Sequence, residues 1–165
     1  MGAGYHGNFG KTFGSDVKVF YKLGSKGEGY KNYTKDDLIN YIDGITEEST
    51  MIATGIKNGT IKVNVPGDKL FESYLGASSN TVAMAVGNQI YLRNSSISIY
   101  SDMVHEGTHA LDYVRGIEEQ VILSWTGEMK AYSAELKFQI AKGEHVDFLD
   151  ENDMLVHVWA NYRRS

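Results

Sequence analysis

Residues 104–113 read VHEGTHALDY, which places His105, Glu106 and His109 in the order His-Glu-x-x-His. In a helix, positions i and i+4 share one face about one turn apart, so both imidazoles can present a nitrogen to a single Zn²⁺. Glu106 sits about 100° round from His105. From there its carboxylate reaches a water beside the metal rather than the metal itself, the position a general base needs. The competing reading is an ordinary helix carrying two histidines and an exposed glutamate.

The flanks of this stretch support a helix. Asn94, Ser95 and Ser96 offer N-cap oxygens ahead of it, and Gly116, after Val114 and Arg115, is a stop with a cation in the last turn. Met103, Ala110 and Val114 fall at i, i+7 and i+11 with Gly107 thinning the same side, a core face that leaves the histidines pointing elsewhere. Asp112 lies on the histidine face about two turns beyond His105, too far to share a metal held between the two rings. An acceptor for an imidazole N–H and an ordinary solvated helix acid both stay open for it.

Length and composition bound the rest. A chain of 165 residues with 42% hydrophobic and 12% aromatic residues has the size of one domain, residues 1–165, with a real core. The formal net charge is −5 with no long basic run, so nothing favours nucleic acid or an anionic membrane as a partner. There are no cysteines, which excludes disulfides and a thiolate metal site and leaves His and carboxylate as the strong ligands. No apolar run reaches the length of a membrane span, and MGAGYHGNFG does not read as a signal peptide. That leaves a cytoplasmic location or export by a signal-independent route.

In chain order, residues 1–15 form a glycine-punctuated lead-in containing His6, and Val17, Val19 and Tyr21 alternate as in a short strand. Thr34 and Asp37 resemble a capping box opening a helix through Leu38, Ile39, Tyr41 and Ile42. Thr46 to Ile56 fits a second helix. Ile61, Val63 and Val65 alternate as a strand ended by Pro66, and Asp68 to Leu75 fits a short helix. Thr81 to Val86 and Gln89 to Arg93 then make a hairpin about Gly87-Asn88, directly before the motif helix. In zinc peptidases an edge strand in this place often hydrogen-bonds an extended peptide. Gln89, Tyr91 and Arg93 are therefore candidate substrate contacts, although a hairpin that merely covers the core explains them equally.

From Ile117 to Ala141 the pattern is a long helix interrupted by Gly127, with Met129, Leu136 and Ile140 among its apolar positions and Gly143 as its stop. Zinc on a two-histidine helix needs a third protein ligand and an open position for water. The run GEMKAYSAELKF supplies Glu128, far enough beyond His109 for a turn and an antiparallel return. Glu118 and Glu119 come too soon to fold back, whereas Glu135 lies on the Glu128 face two turns on and either replaces it or orients a ligand.

His105-Glu106-x-x-His109 with Glu128-x-x-Ala131 resembles the gluzincins, zinc metallopeptidases with a downstream glutamate ligand. HEGTHALDY is also similar to the motif helix of anthrax-lethal-factor-like metallopeptidases, and GYHGNFGKTFG resembles the lead-ins of polymorphic toxin domains. The first two likenesses span Val104 to Glu135. The chain departs from thermolysin-like enzymes in lacking their large second domain and an obvious later catalytic histidine.

The resemblance implies an α+β zincin-like domain, with a small sheet and an antiparallel hairpin packed on the motif helix and the long glutamate helix. It implies Zn²⁺ on His105, His109 and Glu128, with Glu106 as general base in peptide-bond hydrolysis. A second electrophile for the oxyanion is sought in Tyr132, whose other role is helix packing, or in His157 of the apolar segment Met154 to Tyr162. The implied partners are a peptide or protein substrate and, for a toxin-type effector, an inhibitory or immunity protein. The alternative is a zincin-fold binding or regulatory module with a structural or inactive metal site, and an amide hydrolase acting outside peptides would share the same residues. An open coordination position separates enzyme from structural site.

Overall fold

Capping boxes open the first two helices of the described residues. In the computed structural model, which describes residues 31–117 and 125–162, Thr34 Oγ1 accepts the Asp37 N–H at 3.0 Å and starts helix α1, Lys35–Ile42. Thr46 and Ser49 do the same for α2, Glu47–Asn58. Ser49 Oγ also donates to the Ile42 carbonyl at 2.6 Å, tying the start of α2 to the end of α1. Each box satisfies backbone N–H groups that would otherwise lack a helical partner. The first lies where Thr34 and Asp37 predict it.

The remaining elements are β1 (Lys62–Asn64), α3 (Asp68–Leu75), β2 (Ala83–Val86), β3 (Gln89–Leu92), α4 (Ile99–Val114), α5 (Trp125–Lys142) and α6 (Glu151–Tyr162). The described residues therefore form a mixed α+β structure of six helices and one three-stranded sheet. None of these helices is long and apolar enough to cross a membrane. The lead-in at 1–15 with His6, the strand expected over 17–21, and Glu118 and Glu119 lie outside the described residues.

The sheet corrects one expectation. Its order is β1-β3-β2, with β3 parallel to β1 through Val63 and Ile90 and antiparallel to β2 through Ala85 and Ile90. The hairpin turns at Gly87, φ 61°, as expected. But β3 is the central strand and has partners on both sides, so Gln89 to Arg93 cannot serve as the free edge that would take up a substrate peptide. β2 is an outer strand instead.

The sheet and helices share a core that includes Ile42, Ile52, Ile56, Ile90, Leu92, Met103 and Val104. Gly107 is the point of closest approach between α2 and α4. A Cβ built there would lie 2.7 Å from both Cδ1 and Cγ2 of Ile52, so the bare glycine is what lets the helices meet. This contact turns one side of the motif helix into the core and leaves His105 and His109 for α5.

Helix α4 starts later than the sequence suggests, at Ser98 rather than at Asn94 to Ser96. Those side chains have other partners. Asn94 bonds both the N–H and the carbonyl of Lys31, Ser95 donates to Asp68, and Ser96 donates to Asp102. Val114, read as a core position, and Ile140, one of the apolar positions of the long helix, are 46% and 64% exposed because each lies in the last turn of its helix, past the packed stretch. Gly116 takes φ 72° after α4 and Gly143 φ 76° after α5, the stops expected.

Candidate metal centre

His105 and His109 project from α4 toward α5 at the spacing the motif requires. His105 lies near Glu128 and Glu135, while Asp112, further along α4, meets Lys130. The helices therefore run antiparallel past one another. Ala131 and Ala134, both buried, provide the small side chains between the two glutamates.

The three expected ligands converge. Glu128 Oε1 lies 3.2 Å from His105 Nε2 and Oε2 lies 3.3 Å from His109 Nε2, so one carboxylate spans both imidazoles. One ligand atom from each of His105, His109 and Glu128 falls within 4.8 Å of the others, a group that could hold a metal ion. His105 is fully buried, Glu128 is 2% exposed and His109 6%. Two imidazole nitrogens and a carboxylate oxygen suit a borderline transition metal better than Ca²⁺ or Mg²⁺, which take mainly oxygen.

Glu135 occupies the other side of His105, with Oε1 at 2.8 Å from Nδ1. Of the two glutamates weighed as the third ligand, Glu128 is the one that reaches both histidines and Glu135 the one placed to orient a ring. Burial alone pulls the His105 imidazole down, but the hydrogen bonds of Glu128 and Glu135 and the charge of Glu106 outweigh it. In the metal-free chain the ring is held protonated well above its ordinary range. A metal must displace the Nε2 proton, while Glu135 keeps the one on Nδ1.

Glu106 follows His105 on α4 and is fully buried. One turn before it stands Asp102, a buried acid that the sequence reading passed over although it lies at i−4 from Glu106 and i−3 from His105. Ser96 Oγ donates to Asp102 Oδ2 at 2.5 Å and Ser98 Oγ to Oδ1 at 3.1 Å. Desolvation pushes the Asp102 carboxyl up to about 8; the two serines lower it and the charges of Glu135 and Glu106 raise it.

The other candidates are distributed unevenly. Asp112 is buried, but its Oδ1 accepts from Lys130 Nζ at 2.7 Å, so it is an ion-pair partner rather than the imidazole acceptor or solvated acid expected of it. Tyr132 is fully buried, with its ring edge-to-face on His105 at 4.4 Å between centroids. His157, half-buried on α6, lies 5.3 Å from Tyr132 and 5.3 Å from Phe148, in an aromatic group beside the histidines.

Gln89, Tyr91 and Arg93 are all buried. Tyr91 joins an apolar cluster with Phe71, Met84 and Val86, and burial raises its hydroxyl pKa. Arg93 donates to the carbonyls of Thr81 and Ser78 and to Glu72 at 2.6 Å, and its guanidinium lies 4.7 Å from the Phe71 ring. These contacts lock the hairpin to α3 and engage the Arg93 guanidinium.

No protein family, no curated protein and no solved structure matches the chain. The case for a function therefore rests on the residues and their geometry.

Proposed function

We propose that the chain is a zinc-dependent metallopeptidase of the gluzincin type. The observation that carries this reading is the convergence of His105, His109 and Glu128, with Glu106 next in line on the same helix. Zinc on these residues supplies a Lewis acid that lowers the pKa of a water to about 7 and polarises a carbonyl. Glu106 takes the proton from the attacking water and passes it to the leaving amine. Glu135 holds His105 through Nδ1 so that Nε2 faces Glu128 and His109.

Tyr132 is committed by its packing to holding the His105 ring, which leaves half-buried His157 as the better donor to an oxyanion. A toxin or effector role, with an immunity partner, rests on the likeness of the opening stretch alone.

One observation favours the second reading, a binding or regulatory module with a structural metal. Glu106 and His105 are fully buried, whereas a hydrolytic site must admit water and substrate. The two readings separate by experiment. Metal content is measured by mass spectrometry on native protein and Glu128→Ala purified without chelator, followed by a peptide-library cleavage screen with Glu106→Ala as control. Near-stoichiometric zinc that falls in Glu128→Ala, with cleavage lost in Glu106→Ala, supports the peptidase. Zinc without cleavage supports the structural site. Zinc unchanged in Glu128→Ala overturns the ligand assignment.

A further inference from the structure

We infer that Gln139 is a positioning residue for the metal centre, acting through Glu135 on His105. The inference rests on the metal-site reading above and deepens it. Gln139 lies one turn after Glu135 on α5 and is 2% exposed. Its amide makes three contacts: Oε1 accepts the Asp147 backbone N–H at 3.3 Å, and Nε2 donates to the Asp147 carboxylate at 3.1 Å and to Glu135 Oε2 at 3.4 Å.

These partners determine which way the amide points. A primary amide has two N–H donors and can serve two carboxylates at once, whereas the flipped amide would set its oxygen against both and its nitrogen against an N–H. Asp147 therefore orients Gln139, and Gln139 holds the second oxygen of Glu135. The first oxygen of Glu135 then lies 2.8 Å from His105 Nδ1. A carboxylate fixed in this way accepts a hydrogen bond from Nδ1–H, which keeps the proton on Nδ1 and leaves the Nε2 lone pair for a metal.

The chain of contacts starts in the segment joining α5 to α6. Glu144 of that segment accepts from Tyr41 Oη at 2.6 Å, and Phe148 packs edge-to-face on Tyr132, the residue whose ring lies on His105. Gln139 is thus the polar link, and Tyr132 the apolar one, between this connection and the same histidine. Loss of the amide removes the N–H donations that Gln139 makes to Glu135 Oε2 and to the Asp147 carboxylate, so Glu135 is held less firmly in its alignment on Nδ1. The 3.4 Å contact is long, so the effect belongs at the low end of what partners outside the ligand shell supply, about ten-fold in metal affinity.

The test uses the full chain in native form and as Gln139→Leu and Gln139→Met, the second being close in length and flexible enough to fold where leucine does not. Zinc affinity is measured by competition with a chromophoric chelator. The His105 Nδ1–H resonance is followed by ¹⁵N NMR in the zinc-loaded protein. The expected result is zinc bound about ten-fold more weakly by the variants, with the Nδ1–H signal shifted or broadened. Affinity within about two-fold of native, with an unchanged signal, overturns the inference even if the variants are less stable, because that pattern marks a purely structural residue. Zinc bound by native protein but indifferent to Gln139 overturns the inference alone. No zinc in native protein overturns the metal-site reading and the inference with it.

Discussion

The Gly107→Ala substitution tests how the motif helix is seated. The added methyl would stand 2.7 Å from Ile52 Cδ1, 2.7 Å from Cγ2 and 2.9 Å from Cγ1. Cγ1 and Cγ2 both branch from Cβ, so rotating the side chain exchanges one clash for another, and Ile52 is fully buried. Overpacking of this kind costs about 1–3 kcal/mol. Alanine recovers about 1 kcal/mol of helix propensity over glycine. The net expectation is a loss of about 0–2 kcal/mol, or up to about 8 °C in Tm for a chain of this size.

Urea denaturation of native protein, Gly107→Ala, Ile52→Ala and the double variant measures this directly. Ile52→Ala removes all three clashing atoms and by itself costs about 2–5 kcal/mol through the cavity it leaves. The new methyl fills part of that cavity, so the double variant should be more stable than the sum of the singles predicts, by about 1–3 kcal/mol. Strict additivity in the cycle would refute the close contact between α2 and α4.

Asp102→Asn addresses the buried acid in metal-free protein. With its folded pKa raised to about 8 from an ordinary 3.8, Asp102 contributes stability that is full below about pH 4 and is lost as pH rises through 8. The asparagine variant should therefore gain on native protein by at most about 1.4 kcal/mol per pH unit across that window; parallel stability profiles would show that the carboxyl does not titrate there. Tyr132→Phe keeps the ring on His105 and should retain zinc and fold, whereas Tyr132→Ala should lose about 3–5 kcal/mol. A collapse of activity in Tyr132→Phe at full zinc occupancy would instead return the oxyanion role to its hydroxyl. Lys130→Met leaves Asp112 buried without its cation, and because Lys130 is half exposed the expected loss is about 1–2 kcal/mol by urea midpoint. A midpoint equal to that of native protein would mean that solvent already satisfies Asp112.

Features that depend on neighbours a few residues apart could be read directly from the sequence. The i, i+4 spacing of His105 and His109, the Thr34 capping box, the turn at Gly87 and the stops at Gly116 and Gly143 are of this kind, because one or two turns of backbone decide them. Glu128 and Glu135 were legible as a pair because an acid on a later helix is the usual third partner of two histidines at this spacing, and the structure groups Glu128 with both imidazoles. The misplaced helix start shows the limit of such reading. Asn94, Ser95 and Ser96 are all good caps, yet each found a partner distant in sequence or further along the helix.

Sequence alone thus determined that a two-histidine helix and a glutamate helix exist and where each stops. Only the tertiary structure decided what those helices and strands face. Strand order put β3 in the centre and took Gln89, Tyr91 and Arg93 out of any substrate edge, a choice that depends on β1 pairing with a strand far along the chain, Val63 with Ile90. The approach of α5 to α4 gave Glu128 to both imidazoles, Glu135 to Nδ1, and Lys130 to Asp112. The physical reason is one of range: periodicity and caps act within a few residues, whereas pairing, burial and the choice between two carboxylates on one face depend on which surfaces pack together.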